Sequence, residues 1–372
     1  MKIVFNASCI QQPLTGIGHF AYQNLLELQK FLNDEIVAFQ FSNPDKPQTT
    51  LASKPSSLKK FLIKLPMVYS LKRFLTNQKF KKFVQDQGCD IYLEPNFISY
   101  NTHIPSIPVI YDLSFIRLPE THPKFRRKIF KKYLKKTIQS AKAIVTISAF
   151  SKAEIMDIFK VPDEKIHVAY CGASHEFKPR SASEVQATLS KYQLNYRQFI
   201  LGIGTFEPRK NLIRTCEAYA NLSALLRQTY PLVLCGASGW GDIQLSDKVK
   251  KLIENQEIHV LNYVSNQELY ELTASASCAC YASIYEGFGL PVLEAMQSAT
   301  PVITSNVSSM PEVAGDAGIL VNPYEISDIQ HGLEQLLSND KLCEELSEKG
   351  LVQAQKFSWE KTAKIILQAC RA

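Results

Sequence analysis

No stretch of this 372-residue chain approaches the roughly 20 consecutive apolar residues of a membrane-spanning helix. The start, MKIVFNASCI, holds an apolar run too short for a secretory signal core. The nine cysteines form no CxxC pair and the histidines no pair at metal-ligand spacing, which excludes the common zinc and dithiol motifs. Such cysteines read as reduced and mostly buried, in a chain made and kept in the cytoplasm. There is no aromatic-basic RNA motif, zinc finger or recognition-helix signature, so nucleic acid is not the expected partner of the net +7 charge.

What is present is an ordinary folding composition, 45% hydrophobic and 21% charged, in a chain longer than one core usually serves, so two domains are expected. Much of the excess positive charge falls in the first half. One basic region gathers Lys59, Lys60, Lys64, Lys72, Arg73, Lys79, Lys81 and Lys82. A second, KFRRKIFKKYLKK from Lys124 to Lys136, places Phe125, Ile129, Phe130, Tyr133 and Leu134 at helical spacing among basic residues. That amphipathic helix has two readings: packing on its own sheet with a solvated charged face, or added attraction to an anionic membrane surface or charged lipid-linked acceptor.

Short apolar segments alternate with helical patterns throughout, the sequence form of parallel sheets covered by helices. Strands are expected at Ile3–Ala7, Pro108–Tyr111, Ala143–Ile147 and Ile166–Tyr170, then, after a linker over Cys171–Glu184, at Phe199–Ile203, Leu232–Cys235, Ile258–Leu261, Cys278–Tyr281 and Val302–Thr304. Both halves open with strand, glycine-containing loop and helix, which predicts two doubly wound α/β domains of related architecture. FSWEKTAKIILQACRA reads as a final amphipathic helix.

In such sheets ligands bind beyond the carboxyl ends of the strands, and the chemistry-bearing segments sit there. In YASIYEGFGLPVLEAM, Pro291 is placed to open a helix after Gly287 and Gly289, giving exposed N–H groups and a dipole suited to phosphate. Glu286 and Glu294 flank that start. Their expected partners are hydroxyls; read singly, Glu286 is a helix cap and Glu294 a surface residue. GIGTFEPRKN, Gly202 to Asn211, supplies Arg209 and Lys210, a fork and a point charge fit for a departing diphosphate, or else two solvated cations. It lacks the third glycine and downstream acid of a dinucleotide fingerprint. Thr15 to His19 reads as a glycine loop between the first strand and helix, where Gly16 and Gly18 admit a ligand or simply turn the chain. Asp112, after PVIY, stands where a carboxylate can orient sugar or acceptor hydroxyls, with Tyr111 before it.

Taken together, PLTGIGHF, YDLSFIRLPE, ISAFSKAEI, GIGTFEPRKNL, YEGFGLPVLEAM and FSWEKTA resemble the retaining glycosyltransferases of family 4 across nearly the whole chain. The resemblance implies the GT-B architecture, two Rossmann-like domains facing a central cleft: an acceptor domain over 1–175, a nucleotide-sugar domain over 176–355, and a terminal helix over 356–372 returning to the first. It implies donor binding by Gly204 and the Gly287–Phe288–Gly289–Leu290 segment, diphosphate contacts from Arg209 and Lys210, Gly16 and Gly18 beside the donor phosphates and acceptor, a donor-sugar contact from Glu286 and a ribose contact from Glu294. Arg209, Lys210, Glu286 and Asp112 are the expected catalytic set, with Tyr111 and Asp112 in the sugar or acceptor pocket. The implied reaction needs no metal or other cofactor. It moves a hexose, GDP-mannose being the favoured donor, to a glycan or lipid-linked acceptor of surface polysaccharide, at the cytoplasmic face of the inner membrane.

Departures from the family pattern are Tyr111 where relatives have histidine, Ala149 in place of a glutamate, and Gln297, Ser298 and Ala299 where a small glycine is usual. Tyrosine does not do imidazole's work near neutrality, so Tyr111 is expected to mark a different donor sugar, such as a 6-deoxy hexose. Two other readings stay open here: a nucleotide-sugar epimerase of the same architecture, which needs an acid/base set of its own, and a non-catalytic nucleotide-sugar-binding subunit.

Overall fold

The computed structural model describes residues 1–11, 14–41, 66–236, 245–262 and 264–372. Within them the chain forms two compact units, one of Met1–Ile147, Ser151–Tyr170 and Trp359–Ala372, the other of Ser148–Phe150 and Cys171–Ser358.

The first unit holds β1 (Ile3–Asn6), β2 (Ile36–Phe39), β3 (Ile91–Glu94), β4 (Ser106–Ile110), β5 (Ile144–Thr146) and β6 (Ile166–Val168), ordered β2-β1-β3-β4-β5-β6 and parallel throughout. The second holds β7 (Ile200–Ile203), β8 (Leu232–Cys235), β9 (Ile258–Leu261), β10 (Cys278–Tyr281), β11 (Val302–Ser305) and β12 (Gly318–Val321), ordered β12-β11-β10-β7-β8-β9, again parallel. Strands such as IVFN, LVLC and CACY are buried along their whole length because helices cover both sheet faces, hence their largely apolar sequences. In each sheet the strand order reverses at one point, between β1 and β3 and between β7 and β10. There the connections leave toward opposite faces and open a crevice at the strand ends.

The expected strands are present with ends shifted by a residue or two; β2, β3 and β12 were not anticipated. The basic segment from Lys124 is a helix, Lys124–Ser140, that buries Phe130, Leu134 and Ile138 and exposes six lysines. Lys72 to Lys82 lie on another helix, Pro66–Gln87, whereas Lys59, Lys60 and Lys64 fall outside the described residues. The last helix, Trp359–Arg371, packs on the first, Gly16–Leu32, with Trp359 edge-on to Phe20 at 5.8 Å, and Lys142 Nζ donates to its Cys370 carbonyl at 3.3 Å. All nine cysteines are unpaired and seven are buried. Among the described residues no helix is long and apolar enough to cross a membrane, and no three metal-ligating side chains cluster.

Candidate functional site

The second unit places its chemistry at the β7/β10 switch. After β7, Gly204 takes φ +150° and comes so close to the end of β8 that a Cβ on Gly236 would lie 1.8 Å from the Gly204 carbonyl oxygen. Pro208–Lys210 then form one tight turn, closed by Asn211 in left-handed geometry. The buried Asn211 amide donates to the Ala282 carbonyl at 2.9 Å and the Pro323 carbonyl at 2.7 Å, pinning this loop to those after β10 and β12. Sequence reasoning passed over Asn211; its only signal is the asparagine that ends the RKN run.

Arg209 and Lys210 are not solvated charges. Arg209 donates to Glu207 at 3.0 Å and to Glu286 at 2.9 Å, and Lys210 Nζ stands 2.6 Å from the other Glu286 oxygen. The Tyr281 hydroxyl, at the end of β10, donates to that same oxygen at 2.9 Å. Burial pushes the Glu286 carboxyl up, but Lys210 and Arg209 outweigh it and hold the group at about 2. Burial also pulls the Lys210 ammonium below its usual value, against the opposing pull of Glu286. Glu286 is therefore ionised and is not the helix cap of the simpler reading. The two cations and the two carboxylates, Glu207 and Glu286, cancel before any ligand arrives.

The loop after Glu286 is held from below. Ser309 Oγ donates to the Glu286 and Phe288 carbonyls at 3.0 and 2.8 Å. Gly287 and Phe288 are buried, and Gly289 takes φ +114° against Met310, whose Cε would sit 2.4 Å from an added Cβ. The helix Leu290–Gln297 follows, with Pro291 in its first turn. The N–H groups of Gly289 and Leu290 have no hydrogen-bond partner among the described residues, which leaves two donors at a helix start beside two cations.

Glu294 lies on that helix, half-buried, and its carboxylate has no hydrogen-bond or ionic partner among the described residues. Burial alone raises its carboxyl to about 7, and the Cys171 thiol and Tyr270 hydroxyl both feel its charge. A half-hidden carboxylate with nothing to bind is more than the surface residue of the simpler reading. The same helix ends with Gln297 donating to the Ser174 and Phe177 carbonyls at 2.7 and 2.8 Å, and with Ala299 at φ +56°, a conformation that suits glycine.

In the first unit, Gly16 and Gly18 do not form a loop: they occupy the first turn of Gly16–Leu32, because Thr15 Oγ1 caps the helix by accepting from the Gly18 N–H at 3.3 Å. A Cβ on Gly18 would lie 2.9 Å from the Cys9 carbonyl, so Gly18 serves close packing; Gly16 faces open space. Tyr111, directly after β4, is held by its surroundings. It is buried, its ring packs on Phe20 and Phe97, and its hydroxyl donates to the Pro95 carbonyl at 2.7 Å, so the side chain is a core element. Asp112 accepts from the Ser114 N–H at 3.0 Å and hydroxyl at 2.7 Å through one oxygen. Because Ser114 gives its proton to Asp112, it accepts from His122 Nε2 at 2.9 Å, and an imidazole is thus linked to Asp112 from further along the chain.

Glu94, at the end of β3, was also missed. It is buried, accepts from Asn6 at 2.7 Å, from the Asn96 N–H at 2.9 Å and from the Tyr92 hydroxyl, and burial outweighs these bonds to raise it to about 7.

Residues 22–177 match the family model described as Glycosyltransferase Family 4, and residues 189–353 the model described as Glycosyl transferases group 1. The O-antigen chain mannosyltransferase B of Escherichia coli is 36% identical over 97% of both chains. The serotype-specific mannosyltransferase WbdA of Escherichia coli is 29% identical over 74% of this chain, which spans 35% of that longer protein. Among solved structures, a sucrose-phosphate synthase from Thermosynechococcus elongatus superposes with a TM-score of 0.73 at 17% identity, covering 100% of this chain and 98% of that one. WaaG, a glycosyltransferase involved in lipopolysaccharide biosynthesis, gives 0.71 at 15% identity over 97% of both chains, and Anabaena HepE in complex with UDP and glucose gives 0.71 at 15% over 100% of both. Two Rossmann-like parallel sheets and a relative 36% identical over almost the full length lead to one family: the chain belongs to the family 4 glycosyltransferases and has the GT-B fold.

Proposed function

We propose that the chain transfers a hexose, with retention of anomeric configuration, from a nucleoside diphosphate sugar to a glycan or lipid-linked acceptor of a surface polysaccharide, with GDP-mannose as donor. The observation that carries this reading is the pairing of Arg209 and Lys210 with Glu286 beside the unpartnered N–H groups of Gly289 and Leu290. The mannosyltransferase names of the Escherichia coli relatives support the choice of sugar.

The diphosphate enters a cluster that is neutral without it, so it competes with Glu286 for the cations and gains the two helix N–H groups as well. Glu286 then accepts hydroxyls of the donor sugar and Glu294 those of the ribose. As the bond from the anomeric carbon to the β-phosphate oxygen breaks, the acceptor oxygen bonds to that carbon on the same face, and its proton passes to the departing phosphate. Arg209, Lys210 and the helix start stabilise the negative charge that grows on the phosphate, and Asp112 orients the acceptor or sugar hydroxyls. No metal takes part. The lysine face of Lys124–Ser140 draws the protein to an anionic membrane at the cytoplasmic face, where a lipid-linked acceptor is met.

Thermal shift against GDP, UDP, dTDP and ADP and their sugar conjugates, followed by transfer assays and the anomeric coupling of the product, tests this reading. Stabilisation selective for GDP-mannose, acceptor-dependent turnover that survives EDTA, and loss by orders of magnitude in Lys210→Ala are expected. Turnover without acceptor, dependence on a divalent ion, or an inverted product overturns the corresponding part.

A further inference from the structure

One cavity of about 400 Å³ in the first unit lies apart from every residue discussed so far as catalytic or donor-binding. It opens between the helices Pro66–Gln87 and Lys124–Ser140, over the chain that runs from β3 to β4. Its lining includes Arg73, Phe74, Asn77, Ser99, Tyr133 and Lys136, and neither aspartate nor glutamate. Arg73 is set firmly: it donates to the Ser99 carbonyl at 2.6 Å, and its guanidinium lies 4.9 Å over Tyr100 and 5.0 Å over Tyr133. Ser99 Oγ is buried and has no partner among the described residues. Hydrogen bonding to Ser70, and after it Lys132 and Arg73, draws the Tyr133 hydroxyl below the usual phenol range. A cavity with two cations, several hydroxyl and amide groups and no carboxylate suits a phosphate ester better than a neutral sugar.

The surface beside it is equally unusual. Leu71, Phe74 and Leu75 are 60%, 57% and 53% exposed. Their spacing puts them on one helix face. Exposed Lys72 lies on the same helix, and exposed Lys132, Lys135 and Lys136 lie on Lys124–Ser140 across the cavity that Phe74 and Lys136 both line. Bare apolar side chains on a helix pair rich in exposed lysines suit the boundary between lipid headgroups and acyl chains.

We propose that this cavity holds the phosphate-bearing headgroup of an anionic lipid while Leu71, Phe74 and Leu75 enter the acyl boundary beside it. The inference rests on the membrane contact proposed above and replaces diffuse attraction with a built site.

The test is flotation of the full chain with vesicles of phosphatidylcholine alone or mixed with phosphatidylglycerol. Lys135 and Lys136 are both exposed neighbours, but only Lys136 lines the cavity. Lys136→Gln should therefore weaken binding to the mixed vesicles about fivefold more than Lys135→Gln, the equivalent of roughly 1 kcal/mol. Asn77→Asp gives a second arm. Asn77 Oδ1 accepts from the Asn101 N–H at 2.8 Å, a bond that aspartate keeps while adding a negative charge to the cavity. It should weaken vesicle binding with an unchanged melting temperature, and Phe74→Ser should do so in phosphatidylglycerol at high salt. Equal effects of Lys135→Gln and Lys136→Gln, with none from Asn77→Asp, would remove the headgroup site and leave diffuse attraction standing. Stabilisation by glycerol 3-phosphate in solution equal to that by vesicles would reassign the site to a soluble phosphate ester. Failure to float with either vesicle would end the membrane reading itself, while transfer to a soluble acceptor would still report on the transferase.

Discussion

Glu294 should make the unliganded protein less stable above neutrality, and replacing it should reverse that. Its carboxyl titrates near 7 in the folded chain against an ordinary value of 4.5, because burial penalises the charged form and no partner compensates. The folded state therefore binds a proton that the unfolded chain releases between these values, so stability falls as pH rises through that window and levels off above it. The difference amounts to about 3 kcal/mol. Glu294→Gln removes the charge while keeping the shape. Urea unfolding at pH 5 should give nearly equal stabilities for the two proteins, and at pH 8 the variant should be more stable by up to about 3 kcal/mol. The same variant should bind nucleotide more weakly, because the amide is a poorer acceptor for ribose hydroxyls. An equal change in stability at pH 5 and pH 8, or none at either, would show that the carboxyl is not held in its neutral form and would refute the reasoning.

Glu286→Gln leaves Arg209 and Lys210 buried beside an amide, and the unfolding free energy at pH 7 should drop by about 3 kcal/mol, recovered in part by GDP. In the parent protein the stabilisation from Glu286, held at about 2, is present above pH 4.5 and should be lost as pH falls toward 2, a loss the variant lacks. Ala299→Gly relieves a positive-φ alanine at the end of the Leu290–Gln297 helix and should raise the melting temperature, the gain being about 1 kcal/mol. Gly236→Ala drives a Cβ into the Gly204 carbonyl at 1.8 Å and should cost about 3 kcal/mol or prevent folding, read by circular dichroism.

The elements that the sequence announced are those whose physics is local. LVLC, IHVL and CACY are short β-branched or apolar runs bounded by turns, and each is a strand with the expected ends. β3 escaped because IYLE ends in a carboxylate, and its burial is made tolerable by Asn6, brought close by the sheet, together with the Tyr92 hydroxyl and the Asn96 N–H. β12 begins at Gly318 on a sheet edge and leaves Leu320 39% exposed, so its pattern is weak. Two glycines near Thr15 suggested a loop, whereas one hydroxyl cap suffices to start a helix there. Arg209, Lys210 and Glu286 were legible as charges near strand ends, but their mutual pairing depends on β7 and β10 being neighbours, which no local pattern encodes. For Tyr111 the deciding partner is the carbonyl of Pro95, likewise invisible before folding.

The first unit is built from the two ends of the chain, with Trp359–Ala372 packed among residues of the opening half. Synthesis from the amino terminus therefore delivers β1 to β6 long before the helix that covers Phe20 and anchors Lys142. Until the ribosome has released that helix, the nascent first unit carries an uncovered apolar face, while the second, made of Cys171–Ser358 and the earlier Ser148–Phe150, already has all its residues and can fold ahead of it. The unit whose residues are made first is thus the last to be finished.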